Sequence, residues 1–478
     1  MKVKSITIYY LFGVALTAIM IYVLYVSRNI SLPVENISSI KVQSGESSLS
    51  QILKALSNSQ AIIIFQVALI LIVARLTGLL FKKIGQPIVM GEIVAGIILG
   101  PSVLGLVLPD VSQFIFPKSS LSNLQVLSNI GLLIFMFIVG MEFKLNVIKE
   151  EARTIIGISY ASIILPFILG VLLSLTIFKT YLPTNLSFLT YALYIGVAVS
   201  ITSFTVLARI MRDRGITNTR LGSIVISCTA LNDIIAWCIL AVVIATIKAG
   251  SSTFAMYTFL FVAFFVSLMI MVIKPFIKKL FQKNKGSNST FFWVYSTLLV
   301  SSYISEVIGV HMLFGAFLAG AIMPADSDFR KYVIDKLENF AFVLLLPLYF
   351  AFTGLRTQIG LLNNSATWVD CIILIAVAIV GKFIGCTVSA RLMGEQVKTS
   401  LSIGVLMNTR GLTELVVLNI GYELGILKPE LFTIMVIMAL FTTFITSPIL
   451  NIINKMPNKI RVGQNKNDSF LQKATSWP

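Results

Sequence analysis

The sequence predicts an all-α polytopic membrane protein of about fourteen transmembrane helices, and three observations carry that expectation. Of its 478 residues, 57% are hydrophobic and 12% charged, with a mean hydropathy of +0.92. A soluble globular chain carries about 25% charged residues. Apolar runs long enough to cross a bilayer recur from end to end. The loops between them alternate in charge. With a cytoplasmic N-terminus, about 26 of the 37 lysines and arginines fall on the cytoplasmic side and about 8 on the other, with Arg75, Lys382 and Arg410 inside apolar runs. An odd error in helix number would scramble this bias. The net charge of +17 is therefore a topogenic signal spread over short loops, not a nucleic-acid-binding surface.

The first run, 5–26, has an apolar core too long for a signal peptide and no small-residue cleavage site after it, so it reads as a retained helix. The polar stretch 38–60 reads as an external loop. Runs two to seven lie near 61–81, 87–108, 123–143, 154–178, 186–211 and 218–248, and the eighth near 254–278. Runs nine to fourteen lie near 291–305, 310–323, 338–355, 366–392, 399–422 and 429–453; the first three are the weakest signals, and Ser305-Glu306 interrupts the opening pair. The chain thus divides into an extra N-terminal helix with its loop (1–60), a membrane domain (61–453) and a short cytoplasmic tail (454–478). Within the membrane domain, 61–248 and 291–453 form two blocks of six helices separated by one. A single intervening helix inverts the second block, an arrangement that places sites at the midplane. Cys228, Cys238, Cys371 and Cys386 all fall inside apolar runs and form no disulfide or metal pattern.

The chemistry concentrates at four polar interruptions of similar depth. Asp233, preceded by Asn232, sits near the middle of the seventh run with no neighbouring charge to neutralise it. Such a group costs about 2.5–3.5 kcal/mol on insertion scales and is kept where it handles ions or protons. Lys382 is central in the twelfth run. The sixth run carries Ser200-Ile201-Thr202-Ser203 and the thirteenth Asn408-Thr409-Arg410-Gly411. Both are fifth members of their blocks, and matched breaks mark transport sites. Each has a plainer reading as well. Serine and threonine in membrane helices bond to their own backbone or join helices. Arg410 and Glu414 are spaced for an internal ion pair. Glu92 either caps its helix or lines an access path. His311, the sole histidine, reads as a packing residue before a pH sensor.

The stretches Gly85-Gln86-Pro87, Gly91-Glu92, Leu99-Gly100-Pro101-Ser102, Asn232-Asp233, His311 to Phe317, Leu346 to Arg356 and, most specifically, Asn408 to Leu415 resemble the monovalent cation:proton antiporter superfamily. The similarity is to the branch of cation/proton exchangers and potassium-efflux antiporters, and it spans about 61–453. It implies a thirteen-helix inverted-repeat core with crossed discontinuous helices, and a homodimer. It implies that Asp233 is the cation and proton carboxylate and Lys382 its basic partner. Two departures stand out. Thr205 occupies a position where the sixth helix of the family usually has proline, and Asn232 stands where electrogenic relatives have a second acid.

Together these readings predict a transporter in the cell (inner) membrane, with both termini cytoplasmic, that exchanges Na⁺ or K⁺ for protons and serves pH homeostasis. A hard alkali cation prefers the carboxylate, amide and hydroxyl oxygens of Asp233, Asn232, Thr202 and Ser203. If cation and proton compete for one carboxylate, exchange follows with Asp233 never left charged and bare. Because Asn232 cannot titrate, the charge count predicts electroneutral exchange. The rival reading is a proton-coupled symporter of a small organic anion, held by Lys382 and Arg410. No cofactor is expected. One histidine and one central aspartate make no convincing catalytic set, which argues against an enzyme.

Overall fold

The computed structural model describes residues 59–142, 151–184, 186–216, 219–249, 252–283, 288–324 and 327–456. The helix expected over 5–26, nearly all of the loop after it and the tail beyond 456 lie outside the described residues. All regular structure among the described residues is helical. Apolar chain in hydrocarbon must satisfy its backbone internally, and the helix does this within one segment.

The helices are α1 (Ser59–Lys83), α2 (Ile88–Leu99), α3 (Lys118–Glu142), α4 (Ala152–Leu175), α5 (Phe188–Ser200), α6 (Phe204–Asp213) and α7 (Arg220–Ala249). There follow α8 (Ser252–Leu268), α9 (Lys274–Lys283), α10 (Asn288–Ile308), α11 (Met312–Ala321), α12 (Ser327–Phe340) and α13 (Leu346–Arg356). The last are α14 (Ser365–Ile379), α15 (Gly385–Leu392), α16 (Val397–Met407), α17 (Leu412–Glu423) and α18 (Pro429–Asn454). Single π-helical turns, Met269–Ile273, Ala341–Leu345 and Val380–Ile384, join α8 to α9, α12 to α13 and α14 to α15. Among the described residues, ten helices are long and apolar enough to cross a membrane, and Phe188–Ser200, Met312–Ala321 and Val397–Met407 are shorter apolar helices.

The spans differ from the hydropathy runs where local chemistry intervenes. The run 87–108 breaks at Gly100, whose ψ of −170° is extended. Pro101 follows it, and a residue before proline is driven out of the helical region. The run 338–355 begins earlier, because the amphipathic α12 continues through its π turn into α13. At the end of α15, Gly394 takes a φ of 95°, the left-handed conformation that closes a helix and that glycine adopts without a Cβ clash.

Packing sorts the helices into two bundles. One joins α1, α2 and α3 with α10, α11 and α12–α13; the other joins α4, α5–α6 and α7 with α14–α15, α16–α17 and α18. Helix α8 touches α7 on one side and α10 on the other, so it links the two. Small residues permit close approach inside the first bundle. A Cβ at Gly96 of α2 would collide with the backbone carbonyl of Ala351 in α13. The second bundle contains Asp233, Lys382 and both helix breaks.

Candidate functional site

Helices α5–α6 and α16–α17 are each interrupted near their middles, at 201–203 and 408–411. The two breaks touch: the Ser203 amide donates to the Thr409 carbonyl at 3.2 Å, and the Thr202 hydroxyl to the Met407 carbonyl at 3.3 Å. A helix that ends inside a protein leaves its last four carbonyls without intrahelical partners. At the end of α5 all four are taken by side chains. Ser200 Oγ donates to Val197 (2.8 Å), Arg410 to Ala198 (3.4 Å) and Val199 (2.6 Å), and Lys382 Nζ to Ser200 (2.6 Å). The second break is accounted for in the same way. Thr409 Oγ1 donates to Leu406 at 2.8 Å, and Thr443 Oγ1 accepts from the Arg410 amide at 3.0 Å and meets its carbonyl at 2.6 Å. The sixth helix therefore breaks without a proline at 205, because the freed backbone groups find these partners.

Asp233 is 4% exposed, on α7 beside the crossing. Its carboxylate meets the backbone N–H of Phe204, first residue of α6, and the hydroxyl of Thr413 in the first turn of α17. Both are helix N-termini, which carry partial positive charge and favour an anion. Asp233 Oδ1 has no hydrogen-bond partner among the described residues. Neither does Oδ1 of the adjacent Asn232, whose Nδ2 donates to Ser162 Oγ at 2.8 Å, nor Oδ1 of Asn408. Unmade hydrogen bonds on buried polar atoms cost about 1–3 kcal/mol each, so their presence calls for a ligand or a function.

The positive groups sit at the opposite helix ends. Lys382, fully buried in the π turn Val380–Ile384, donates to Ser200 O and Thr202 Oγ1 and lies 3.5 Å from both oxygens of Ser162. π turns inside α-helices often mark functional positions. Lys382 acts on Asp233 electrostatically across the crossing without forming a direct ion pair with it. Among the described residues no carboxylate oxygen lies within the 4.0 Å of an ion pair from its ammonium. The negative end of α5 and two further residues, Thr202 and Ser162, occupy it instead. Arg410 is paired as its spacing suggested, at 2.7 Å from Glu414 Oε1, both side chains having no exposure.

The structure therefore brings together Asp233, Asn232, Ser200, Thr202, Ser203, Lys382, Asn408, Thr409, Arg410 and Glu414 in one bundle. Glu92 stands apart on α2 in the other bundle, buried at 9% exposure. Its neighbours on the same helix, Val89, Met90 and Ile93, line a cavity with Arg410, Gly411 and Thr443. His311 caps α11, its side chain accepting from the Leu313 amide at 3.4 Å. Sequence reasoning missed Ser162, which joins Asn232 to Lys382, and Thr413, which meets Asp233. Neither breaks an apolar pattern, and only Thr413's place beside the Asn408–Gly411 break offered a signal.

The sequence profile described as "Sodium/hydrogen exchanger, transmembrane" matches residues 68–454. The chain belongs to the sodium/hydrogen exchanger family. It is 40% identical over 399 residues to the Na(+)/H(+) antiporter NhaS4 of Synechocystis, a match covering 82% of this chain and 97% of that one. It is 36% identical to Cation/H(+) antiporter 17 of Arabidopsis thaliana over 86% of its length, and spans about half (51%) of that longer protein. The fold is similar to that of the sodium proton antiporter MjNhaP1 from Methanocaldococcus jannaschii, with a TM-score of 0.62, 16% identity, and coverage of 83% of this chain and 99% of that one. The transmembrane character of that profile agrees with the ten helices among the described residues that are long and apolar enough to cross a membrane, and together they make this a multi-pass membrane protein. Nothing in these relationships favours anion symport. Arg410 and Lys382, which that reading needs free, are committed to carbonyls and to Glu414.

Proposed function

We propose that the protein exchanges a monovalent alkali cation for protons across a cell membrane, with Asp233 as the shared binding group. One observation carries this reading: Asp233 is a buried carboxylate with a free oxygen and no ion pair, while the neighbouring Glu414, although its Oε2 is also unpartnered, is neutralised by Arg410. Asn232 adds a neutral oxygen on the same helix. The N-terminal ends of α6 and α17 steady Asp233 when it is charged. A cation or a proton on the carboxylate lowers the cost of moving it through the membrane. Both compete for one site, so each leaves as the other enters. Thr202 and Ser203 supply further oxygens at the break, and Lys382 and Arg410 hold the negative end of α5. Rocking of the site-bearing bundle against the other presents Asp233 to each side in turn. Proteoliposomes with a pH-sensitive dye, scanned across Li⁺, Na⁺, K⁺ and Rb⁺, test the exchange and rank the cations.

The same reading places the protein in the inner membrane as a homodimer, two repeats (61–248 and 291–453) in inverted orientation, and the N- and C-termini in the cytoplasm. The basic loops support this orientation. Single cysteines at Ser289 and Ser365, in a cysteine-free background, should label from the cytoplasmic and the external side respectively. Labelling of both from one side would break the orientation.

Exchange should be electroneutral, one proton for one cation. Asp233 is the carboxylate of the crossing that no arginine already holds, so the loaded site has equal charge in both half-cycles. The check is exchange at fixed ion gradients with the membrane potential clamped at zero and then at about −100 mV. A full charge crossing that field carries about 2.3 kcal/mol, so electrogenic exchange would move the equilibrium cation ratio by tens-fold. The expected result is no shift. A clear shift would make Lys382 a second proton carrier.

A further inference from the structure

The contacts between the two bundles differ at their two ends. On the face of the basic loops, a cavity separates Val89, Met90 and Ile93 of α2 from Arg410, Gly411 and Thr443 of the site-bearing bundle. A neutral bond crosses at that end, from Gln86 Nε2 to the Phe444 carbonyl at 3.1 Å. On the opposite face a charged cluster ties the bundles together. Arg356, last residue of α13, donates to Glu423 Oε1 (2.8 Å) and Asn419 Oδ1 (3.1 Å) on α17. Gln125 of α3 donates to the same Glu423 oxygen at 2.8 Å. Asn419 in turn donates to Thr353 Oγ1 and Tyr349 of α13 at 2.8 and 3.1 Å. The Arg356 guanidinium lies 4.3 Å from the Phe352 ring of its own bundle and 5.5 Å from the Tyr422 ring of the other.

We propose that Arg356, Glu423 and Gln125 form an external lock between the bundles, which must open before the site can face outward. The inference rests on the exchange reading for its purpose and on the basic loops for its orientation. Its geometry suits a lock. The partners belong to different bundles, and Glu423 ends the half-helix α17 whose first turn touches Asp233. With side-chain exposures of 16% and 30%, the Arg356–Glu423 pair is dry enough to hold and wet enough to part. At the other end the bundles are joined by the single neutral Gln86–Phe444 bond beside a small cavity, so the lock is closed on the side where the charged contacts lie. Arg356 and Glu423 are positioning residues: they touch no cation and set which face of the membrane the carboxylate sees.

The test measures access rather than transport, so it stands even if the exchange reading fails. Leu415 lines the cavity and is fully buried. In the full-length chain, with the four native cysteines replaced by serine, Leu415→Cys is labelled by a membrane-impermeant thiol reagent in right-side-out and in inverted vesicles. With the lock intact, labelling should be faster from the cytoplasmic face. Glu423→Gln, and independently the milder Gln125→Met, should raise the external-to-cytoplasmic rate ratio by about fivefold or more, as expected when one charge-assisted contact stops favouring one state. The exchange Arg356→Glu with Glu423→Arg should restore the ratio. Unchanged ratios in both single variants overturn the lock. So does a raised ratio that the charge exchange does not bring back, since that marks general loosening.

Discussion

Asp233→Asn is expected to reduce cation/proton exchange to the rate of protein-free liposomes, while the protein inserts, purifies and melts as the parent does. The amide keeps the shape of the carboxylate and an oxygen to accept from the Phe204 amide and the Thr413 hydroxyl. What it loses is the charge that binds a cation and the ability to take up a proton. Removing a buried charge relieves an insertion cost of about 2.5–3.5 kcal/mol, so stability should not fall. A thermal-shift measurement in detergent beside the dye assay separates the two effects. Exchange clearly above the protein-free rate would remove Asp233 from the mechanism.

Arg410→Met is expected to have the largest effect on stability. Its guanidinium is fully buried, bonded to Glu414 and to two carbonyls at the end of α5. Deleting it strands Glu414 in the protein interior and uncaps Ala198 and Val199. Breaking a buried ion pair by removing one partner costs about 3–5 kcal/mol. The melting temperature in detergent should therefore drop markedly, with exchange lost alongside. Adding Glu414→Gln should recover part of the loss, because the remaining defect is then two unmet carbonyls without a stranded charge. A double variant no more stable than the single would show that the pair is not what Arg410 contributes.

Much of the site was legible along the chain. Asp233 stood out because a charge inside an apolar run is costly, and the polar clusters at 200–203 and 408–410 marked the breaks for the same reason. The Arg410–Glu414 pair followed from helical spacing. Lys382 was found, and its charge acts on Asp233, but its direct hydrogen bonds go elsewhere. Opposite charges at similar depth suggest a pair, but the carbonyl end of α5 is also an electronegative group, and no side-chain pattern reveals it. Thr205 in place of proline removed one signal for the break in the sixth helix. What breaks it is the set of caps from other helices.

The sequence by itself determined that this chain crosses a membrane many times, where most of its helices run and which carboxylate lies among them. These are local properties: hydropathy and charge are read one residue at a time, and a continuous apolar run of spanning length crosses the bilayer as a helix. The tertiary structure decided which helices share a bundle, how the breaks are sealed and where each buried charge is spent. Those outcomes depend on hydrogen bonds between distant parts of the chain, such as Lys382 to Ser200 across 182 positions and Arg410 to Val199 across 211. No period or motif encodes such a contact. It exists because a broken helix in a membrane must have every freed carbonyl met, and the fold supplies the donors that lie within reach.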